Sequence, residues 1–324
     1  SNMRLSYGKK PVAVESLPGG YLLNNYRIER TIGGGGFSQV YVATNLSNNE
    51  LVVIKEYLPG TQAQRLEDAR VEPLSQETNS VYQLGIRHFF EEARALSKIR
   101  HPNIVRITDI FRANNTVYIV MRHETGKDLR WYIKRKSGKL SEKFMRTVFP
   151  QLLLGLRELH SHKLLHLDIK PANIFLCPGG KPLLLDFGAA RRSISGPKPR
   201  GPSTLTLGFA PIEQHRGGHL GPWTDLYGLG ASMWACISGQ PPPPSTERVV
   251  KDTHKPATRG YARQYSKQLL EAIDWCLQLD QLDRPQSAQE LLDFMNPMND
   301  AMPAEEEGTS KRWSLKLPWK KAGP

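Results

Sequence analysis

The stretch His166-Leu167-Asp168-Ile169-Lys170-Pro171-Ala172-Asn173 decides how this chain of 324 residues is read. It runs directly into the apolar triplet Ile174-Phe175-Leu176, and Asp186-Phe187-Gly188 follows thirteen residues after Asn173. A carboxylate, a lysine and an amide at that spacing can share three tasks. The carboxylate accepts or positions a hydroxyl proton, the lysine neutralises charge on a transferring phosphate, and the amide completes a divalent-metal shell. A second carboxylate, Asp186 at the next strand end, supplies the main metal bond, because a hard cation takes oxygen ligands. At ordinary residue frequencies the HxDxKxxN spacing arises by chance in about one chain of this size in 500.

Working toward the N-terminus, Gly33-Gly34-Gly35-Gly36-Phe37-Ser38-Gln39-Val40 lies between two strand-like segments. Glycines lack Cβ, so backbone N–H groups in such a turn can approach phosphate oxygens. No Gly-Lys-Ser/Thr follows, which excludes a Walker A loop, and the next segment reads as a strand, which disfavours a dinucleotide fingerprint. Taken alone, the run is equally a hairpin tip. Lys55 ends the apolar strand Leu51-Val52-Val53-Ile54. A strand-end lysine is ordinarily solvated. It gains meaning if a helix-borne carboxylate orients it toward phosphates. Residues 89–99 read as that helix, and Glu92 is preferred to Glu91 for its spacing to His101-Pro102-Asn103-Ile104-Val105.

Composition bounds the rest. Lysine and arginine number 44 against 31 aspartates and glutamates, a net charge of +13. Hydrophobic residues make up 39%, enough to bury a core and to exclude global disorder. The length suits two packed lobes or one large domain with tails. Cys177, Cys236 and Cys276 are odd in number, widely spaced and form no CxxC pair. Neither a disulfide framework nor a zinc site is expected, and a reducing compartment is favoured. The basic balance admits nucleotide phosphates, nucleic acid or an anionic membrane face and selects none of them. Ser1-Asn2-Met3-Arg4 opens no apolar leader. The uncharged run 226–246 raises the question of a membrane span, but Gly228, Gly230, Gly239 and four consecutive prolines from Pro241 would break a lipid-exposed helix. A buried core helix ending at Ser238-Gly239 is expected instead.

The coarse layout is β-rich to about residue 121 and helical beyond about 127. Strands are read around Tyr26–Ile32, Val40–Val42 and Leu51–Ile54, then Ile104–Ile107 and Val117–Met121 with a turn at Asn114-Asn115. Residues 56–87 read as a long irregular surface insertion, with a regulatory or docking element as the sharper alternative. Ser141 is a candidate N-cap for an apolar stripe at helical spacing from Phe144 to Leu159. Residues 191–208 read as a basic surface loop, and Ser193, Ser195 and Ser203 within it are candidate phosphorylation sites. Residues 297–324 carry an acidic run, Glu305-Glu306-Glu307, then interleaved basic and aromatic residues around Trp313 and Trp319. A plain linker is the preferred reading of this tail; contact with an anionic membrane is the alternative.

Taken in order, these runs resemble the eukaryotic-type (Hanks-type) protein kinases over about residues 26–295, in wording closest to bacterial Ser/Thr members. The further matches are Ala210-Pro211-Ile212-Glu213, Asp225-Leu226-Tyr227-Gly228 and Arg284. The resemblance implies an α+β, two-lobed fold. A small antiparallel-sheet N-lobe with one key helix would span 26–121 and a larger, mainly helical C-lobe 122–295, after a flexible lead-in 1–25 and before a tail 296–324. It implies ATP with Mg²⁺ or Mn²⁺ as cofactors and a protein Ser/Thr hydroxyl as acceptor, autophosphorylation included. Asp168 would be the catalytic base, Lys170 would meet the γ-phosphate, and Asn173 and Asp186 would hold metal ions. Lys55, paired with Glu92, would grip the α- and β-phosphates. Ile32, Gly33, Gly34, Gly35, Gly36, Phe37 and Ser38 would cover the nucleotide. Val40, Val53 and Phe175 would enclose adenine, with Met121 as gatekeeper and Arg122, His123 and Glu124 as hinge. Asp128 would contact ribose or substrate, and Thr206 would touch the catalytic aspartate. Glu213 and Arg284 would form a buried anchor, and Asp225 would hold the catalytic loop.

Lys170-Pro171 matches the Ser/Thr-specific branch. Leu167 stands where an arginine that meets an activation-loop phosphate is usual, so activity independent of such a phosphate is expected. Thr206→Ala should then harm catalysis and Thr204→Ala do little. Ser38 replaces the loop's third glycine, and Val53 and Phe175 add bulk around adenine. The alternatives are a pseudokinase scaffold that binds nucleotide without turnover, a small-molecule phosphotransferase, and a nucleic-acid binder resting only on the charge; nucleic acid is not expected as a partner. A cytoplasmic location is expected, or the cytoplasmic part of a longer, membrane-attached chain.

Overall fold

Side chains along residues 50–57 face opposite sides of a strand in turn, and the two sets differ in character. Val52, Ile54 and Glu56 lie on one side, Val53 and Lys55 on the other. The computed structural model describes residues 16–185 and 207–296, together with the backbone of 191–192. The residues fall into two compact units. One runs to Lys98 and takes in Arg106–His123; the other comprises Ile99–Val105 and the described residues from Glu124 onward.

The first unit contains β1 (Leu22–Leu23), β2 (Tyr26–Gly34), β3 (Ser38–Asn45) and β4 (Glu50–Tyr57). A short hairpin follows, β5 (Ala63–Arg65) and β6 (Val71–Pro73), then the helix α1 (Gln76–Ser97) and the strands β7 (Ile107–Ala113) and β8 (Thr116–Arg122). Six strands form one antiparallel sheet in the order β1-β2-β3-β4-β8-β7. Asn114 and Asn115 join the last two with φ of 51° and 58°, the left-handed pair that a two-residue hairpin turn needs. Directly opposed residues share a face, so register sorts the side chains. Tyr41, Ala43, Val52, Ile54, Tyr118 and Val120 join Leu17, Leu23, Tyr26 and Ile28 in a buried cluster. The other face carries Val40 opposite Lys55, and Val53 opposite Met121.

The structure departs from three expectations drawn from the sequence. Residues 56–87 are not a loose insertion. Tyr57, Leu58, Ala63, Val71, Tyr82 and Ile86 form a second core cluster with Val117, and α1 begins at Gln76 rather than near residue 89. Its start is set by Ser75, whose Oγ accepts the Thr78 N–H at 3.2 Å while Thr78 Oγ1 accepts the Ser75 N–H at 3.0 Å. Gly85, in mid-helix, has a packing reason: a Cβ there would lie 1.9 Å from the Tyr57 hydroxyl. Second, the described end of the lead-in is packed, with Leu17 and Leu23 buried in the sheet cluster. Third, the strand expected at 104–107 starts only at Ile107, and Ile104 instead bridges to Leu184 in the second unit.

The hairpin β5–β6 is tied to the sheet by charge. Glu56, fully buried, accepts hydrogen bonds from the Tyr41 hydroxyl at 2.7 Å and the Tyr118 hydroxyl at 2.5 Å, and pairs with the Arg65 guanidinium. Burial and the adjacent Glu56 charge push both tyrosine hydroxyls far up from their ordinary pKa.

In the second unit, β9 (Lys127–Asp128) leads into α2 (Leu129–Lys136), and Ser141 caps α3 (Glu142–Ser161) through the Phe144 N–H at 3.1 Å. The stripe read from Phe144 to Leu159 is buried. Next come β10 (Leu164–Leu165), a 3₁₀ turn at Pro171–Asn173, β11 (Ile174–Leu176), β12 (Pro182–Leu184) and β13 (Arg191–Arg192), which pairs with β10. The helices α4 (Ile212–Arg216), α5 (Pro222–Ser238), α6 (Ser245–Arg248), α7 (Ala257–Gly260), α8 (Lys267–Cys276) and α9 (Ala288–Met295) complete it. α5 is the buried helix expected from the uncharged run, and Gly239 ends it at φ 80°. Among the described residues no helix is long and apolar enough to cross a membrane. Cys177, Cys236 and Cys276 are buried free thiols.

Candidate active site

In the first unit, alternation along β4 turns Lys55 away from the sheet cluster, and its side chain is 8% exposed. Half-buried Val40, Val53 and Met121 share its face. Glu92 lies on α1 and is half-buried, whereas neighbouring Glu91 is exposed. Gly33 and Gly34 end β2, and Gly35 N–H donates to Ser38 O at 3.0 Å to close the turn. The loop is tethered to residues 58–60: Leu58 N–H donates to Phe37 O at 2.8 Å and Gly60 N–H to Gly36 O at 3.0 Å. No described atom lies within 4 Å of a Cβ built on Gly33, Gly35 or Gly36, and none of the four glycines takes a left-handed φ. Ile32 and Phe37 are exposed beside them. Arg122 ends β8 exposed, and His123 follows it half-buried.

In the second unit, residues 166–173 are organised around one buried carboxylate. Asp225, on α5, accepts the His166 N–H at 2.9 Å on Oδ2 and the Leu167 N–H at 2.8 Å on Oδ1. His160 Nε2 lies 2.7 Å from the same Oδ2. Burial alone would raise the pKa of this carboxyl. The hydrogen bonds from His160 and the Leu167 N–H outweigh it and hold the group below its ordinary value. The loop so pinned is tightly bent, with Leu167 at φ 64° and 5% exposed. A left-handed leucine costs of order 1–3 kcal/mol and persists only because its surroundings hold it. Gln214 Nε2 donates to Leu167 O at 3.0 Å from the C-terminal side of the fold. Gly228 lets α5 approach: a Cβ there would lie 2.8 Å from Ile169 O.

The chemistry-bearing groups follow from this bend. The Asp168 N–H donates to His166 Nδ1 at 3.1 Å, and His166 Nε2 lies 2.7 Å from Leu185 O, a pair of contacts that fits the proton on Nε2. Asn173 Nδ2 donates to Asp168 O at 2.8 Å and to Asp168 Oδ2 at 3.2 Å. Lys170 Nζ lies 3.6 Å from Asp168 Oδ1. Asp168, Lys170 and Asn173 are therefore brought together, with the carboxylate oriented by the amide. Leu185 N–H donates to Asn173 O at 2.9 Å, so the backbone just before Asp186 is fixed to the same loop. Asp186 and Thr206 lie outside the described residues, as do Thr204, Ser193, Ser195, Ser203 and the tail from 297. Phe175, half-buried on β11, pairs with Asp128 on β9. Asp128 also caps α2, accepting the Arg130 N–H at 2.8 Å and the Arg130 guanidinium at 2.9 and 3.2 Å. Among the described residues no three His, Cys, Asp or Glu side chains gather as a metal site.

The expected anchor is present. Arg284, 2% exposed, grips Glu213 bidentately at 2.7 and 3.0 Å and donates to Gln278 O and Leu279 O at 2.7 and 2.9 Å. Sequence reading missed His160, Gln214 and Leu185, which act on the loop through space. Their residue types carry no local signal.

A protein kinase domain family model matches residues 26–294. The chain is 31% identical over 227 residues to the serine/threonine-protein kinase PrkC of Bacillus subtilis, covering 70% of this chain and 32% of PrkC. It is 29% identical over 285 residues to the serine/threonine-protein kinase PknA of Nostoc, covering 84% of this chain and 47% of PknA. It thus spans half or less of these curated relatives. A solved structure titled PpkA-294 apo form aligns with a TM-score of 0.76 at 35% identity, covering 86% of this chain and 99% of that one. With the motifs in order, the sheet-bearing and helical units in place and the match running almost throughout, the chain belongs to the protein kinase domain family, in its eukaryotic (Hanks) type with bacterial relatives.

Proposed function

We propose that the chain is a Ser/Thr protein kinase that moves the γ-phosphoryl group of ATP to protein hydroxyls. The observation that carries this reading is the Asp168–Lys170–Asn173 cluster, pinned to Asp225 through two backbone N–H bonds. Asp168 is positioned to take or orient the acceptor hydroxyl proton, and Asn173 holds its Oδ2 in place. Lys170 brings a positive charge next to the atom that transfers. Lys55 is the proposed grip on the remaining phosphates, with Glu92 its preferred orienting carboxylate. The glycines at 33, 35 and 36 are demanded by neither crowding nor backbone strain, which supports a loop kept bare for phosphate approach. Val40, Val53, Met121 and Phe175 are the proposed adenine contacts, with Arg122 and His123 beside them.

The donor set fits a divalent cation. Asn173 spends its Nδ2 on Asp168, which leaves Oδ1 as its hydrogen-bonding atom, and hard oxygen donors suit Mg²⁺. Asn173 and Asp186 would hold it, and the cation would offset phosphate charge. The buried apolar Leu167 supports activity without a phosphate on the activation segment. Incubation of the full chain with γ-labelled ATP, a generic protein acceptor and either Mg²⁺, Mn²⁺ or a chelator tests the proposal. Label on serine and threonine with metal, and none with chelator, is expected. A chain that binds ATP without transferring label would instead be a scaffold, and label on tyrosine would overturn the substrate class.

A further inference from the structure

An open groove of about 400 Å³ lies in the second unit beside the catalytic loop. Pro171, next to Lys170, forms part of its wall, and Phe209 lines both the groove and the small crevice at Asp168. Gly239 and Pro241, just past the end of α5, line it as well. The rim comes from α2, where Arg130 and Lys134, four residues apart and on one face of the helix, are both exposed. No carboxylate lines the groove among the described residues. Asp128, just before α2, holds the Arg130 guanidinium in a forked pair rather than opening to the groove. α2 itself has no acidic residue and carries Lys134, Arg135 and Lys136 in its last turn. A polypeptide whose hydroxyl reaches Asp168 must lay its neighbouring residues on adjoining surface. Here that surface mixes apolar residues with Ser137, Ser238 and Gln240, and with Arg130 offset by Asp128 the positive charge at its rim comes from Lys134.

We propose that this groove selects acceptor segments with a carboxylate cluster beside the Ser or Thr, and that the chain carries one itself. Glu305-Glu306-Glu307-Gly308-Thr309-Ser310 holds the only run of three consecutive acidic residues in the sequence, followed after one glycine by two hydroxyl residues. Thr309 or Ser310 is thereby assigned as an autophosphorylation site, occupying the groove of its own or a second copy. In the step, the acceptor oxygen bonds to the γ-phosphorus of the nucleoside triphosphate and the bond to the β–γ bridging oxygen breaks. The nucleoside diphosphate leaves with that electron pair, and the hydroxyl proton passes to Asp168. The inference rests on the kinase reading above and deepens it by naming the substrate class.

The test uses three synthetic peptides spanning residues 301–312: the native sequence, one with glutamine at 305–307, and one with lysine there. The full chain should phosphorylate them in the order Glu, Gln, Lys, with about tenfold in kcat/KM between the extremes. Fluorescence anisotropy without nucleotide should show the same order of binding, weakening as salt rises. Lys134→Glu, an exposed substitution, should invert both orders. Mass spectrometry of the autophosphorylated chain should place phosphate on Thr309 or Ser310. Equal rates for the three peptides, or preference for the lysine peptide, would overturn the groove proposal and leave the kinase activity standing. Displacement of the native peptide by an oligonucleotide of equal charge at lower concentration would also overturn it. Failure to phosphorylate any peptide or generic acceptor would take down both readings together.

Discussion

At the scale of single residues, Asp225 governs the loop at 166–173, and its chemistry has a pH signature. Its folded pKa lies below the ordinary 3.8 because hydrogen bonds from His160 and the Leu167 N–H outweigh the cost of burial. A depressed carboxyl stabilises the fold fully above its unfolded value and loses that contribution as pH falls through 3.8 toward the lower folded value. Asp225→Asn should therefore cost about 2–3 kcal/mol at pH 7. It should also flatten the acid arm of the stability curve below pH 3.8. Urea midpoints between about pH 3 and pH 7 report both. An unchanged acid arm would place the titration elsewhere. The left-handed Leu167 adds a kinetic reading of the same carboxylate. Asparagine keeps one acceptor oxygen and so gives up one of the two backbone bonds that hold this strained residue, and the variant should lose turnover more than it loses ATP affinity.

Contacts between elements set both the loop around Asp225 and the sheet of the first unit. Gly228 brings α5 against Ile169 O, and a methyl group there would stand 2.8 Å from that carbonyl. Gly228→Ala should push the loop out of place and lower kcat by tenfold or more, with ATP affinity, read by calorimetry, nearly unchanged. In the first unit the hairpin β5–β6 delivers Arg65 to Glu56. Arg65→Met strands a buried carboxylate and should cost ~3–5 kcal/mol by chemical denaturation. Adding Glu56→Gln should recover much of that loss. Legibility in the sequence divides along the same line. The loop at 166–173 stood out because its residue types suggest a chemistry at short spacing. The Phe144–Leu159 stripe and the run that became α5 declared themselves by period and by glycine and proline punctuation. Residues 56–87 did not: β5 and β6 span three residues each, too few to show a period. The first half of α1 is polar, with Gln76, Glu77, Thr78, Asn79 and Ser80 ahead of Tyr82. Glu56 and Arg65 look like solvated charges until distant Tyr41 and Tyr118 close around them.

Across the whole molecule, the folded state hides every thiol. Cys236 and Cys276 are fully buried, and burial lifts Cys236 well above its ordinary pKa and Cys276 to about 12. Cys177 is buried and raised as well. Since the thiolate is the reactive form, the native chain at pH 8 should resist a thiol-specific chromogenic reagent and react at three sites once unfolded. Fast stoichiometric labelling of the native protein would contradict the packing around α5 and α8. The functional account stands at the same scale. Its most direct test is single-turnover transfer of γ-labelled phosphate to a Ser/Thr acceptor by the wild-type chain and by Asp168→Asn, with ATP binding measured in parallel. The account predicts transfer by the wild type, a loss of about 10²–10⁴-fold in the variant, and ATP affinity retained in both. Transfer by the variant at close to the wild-type rate would contradict it.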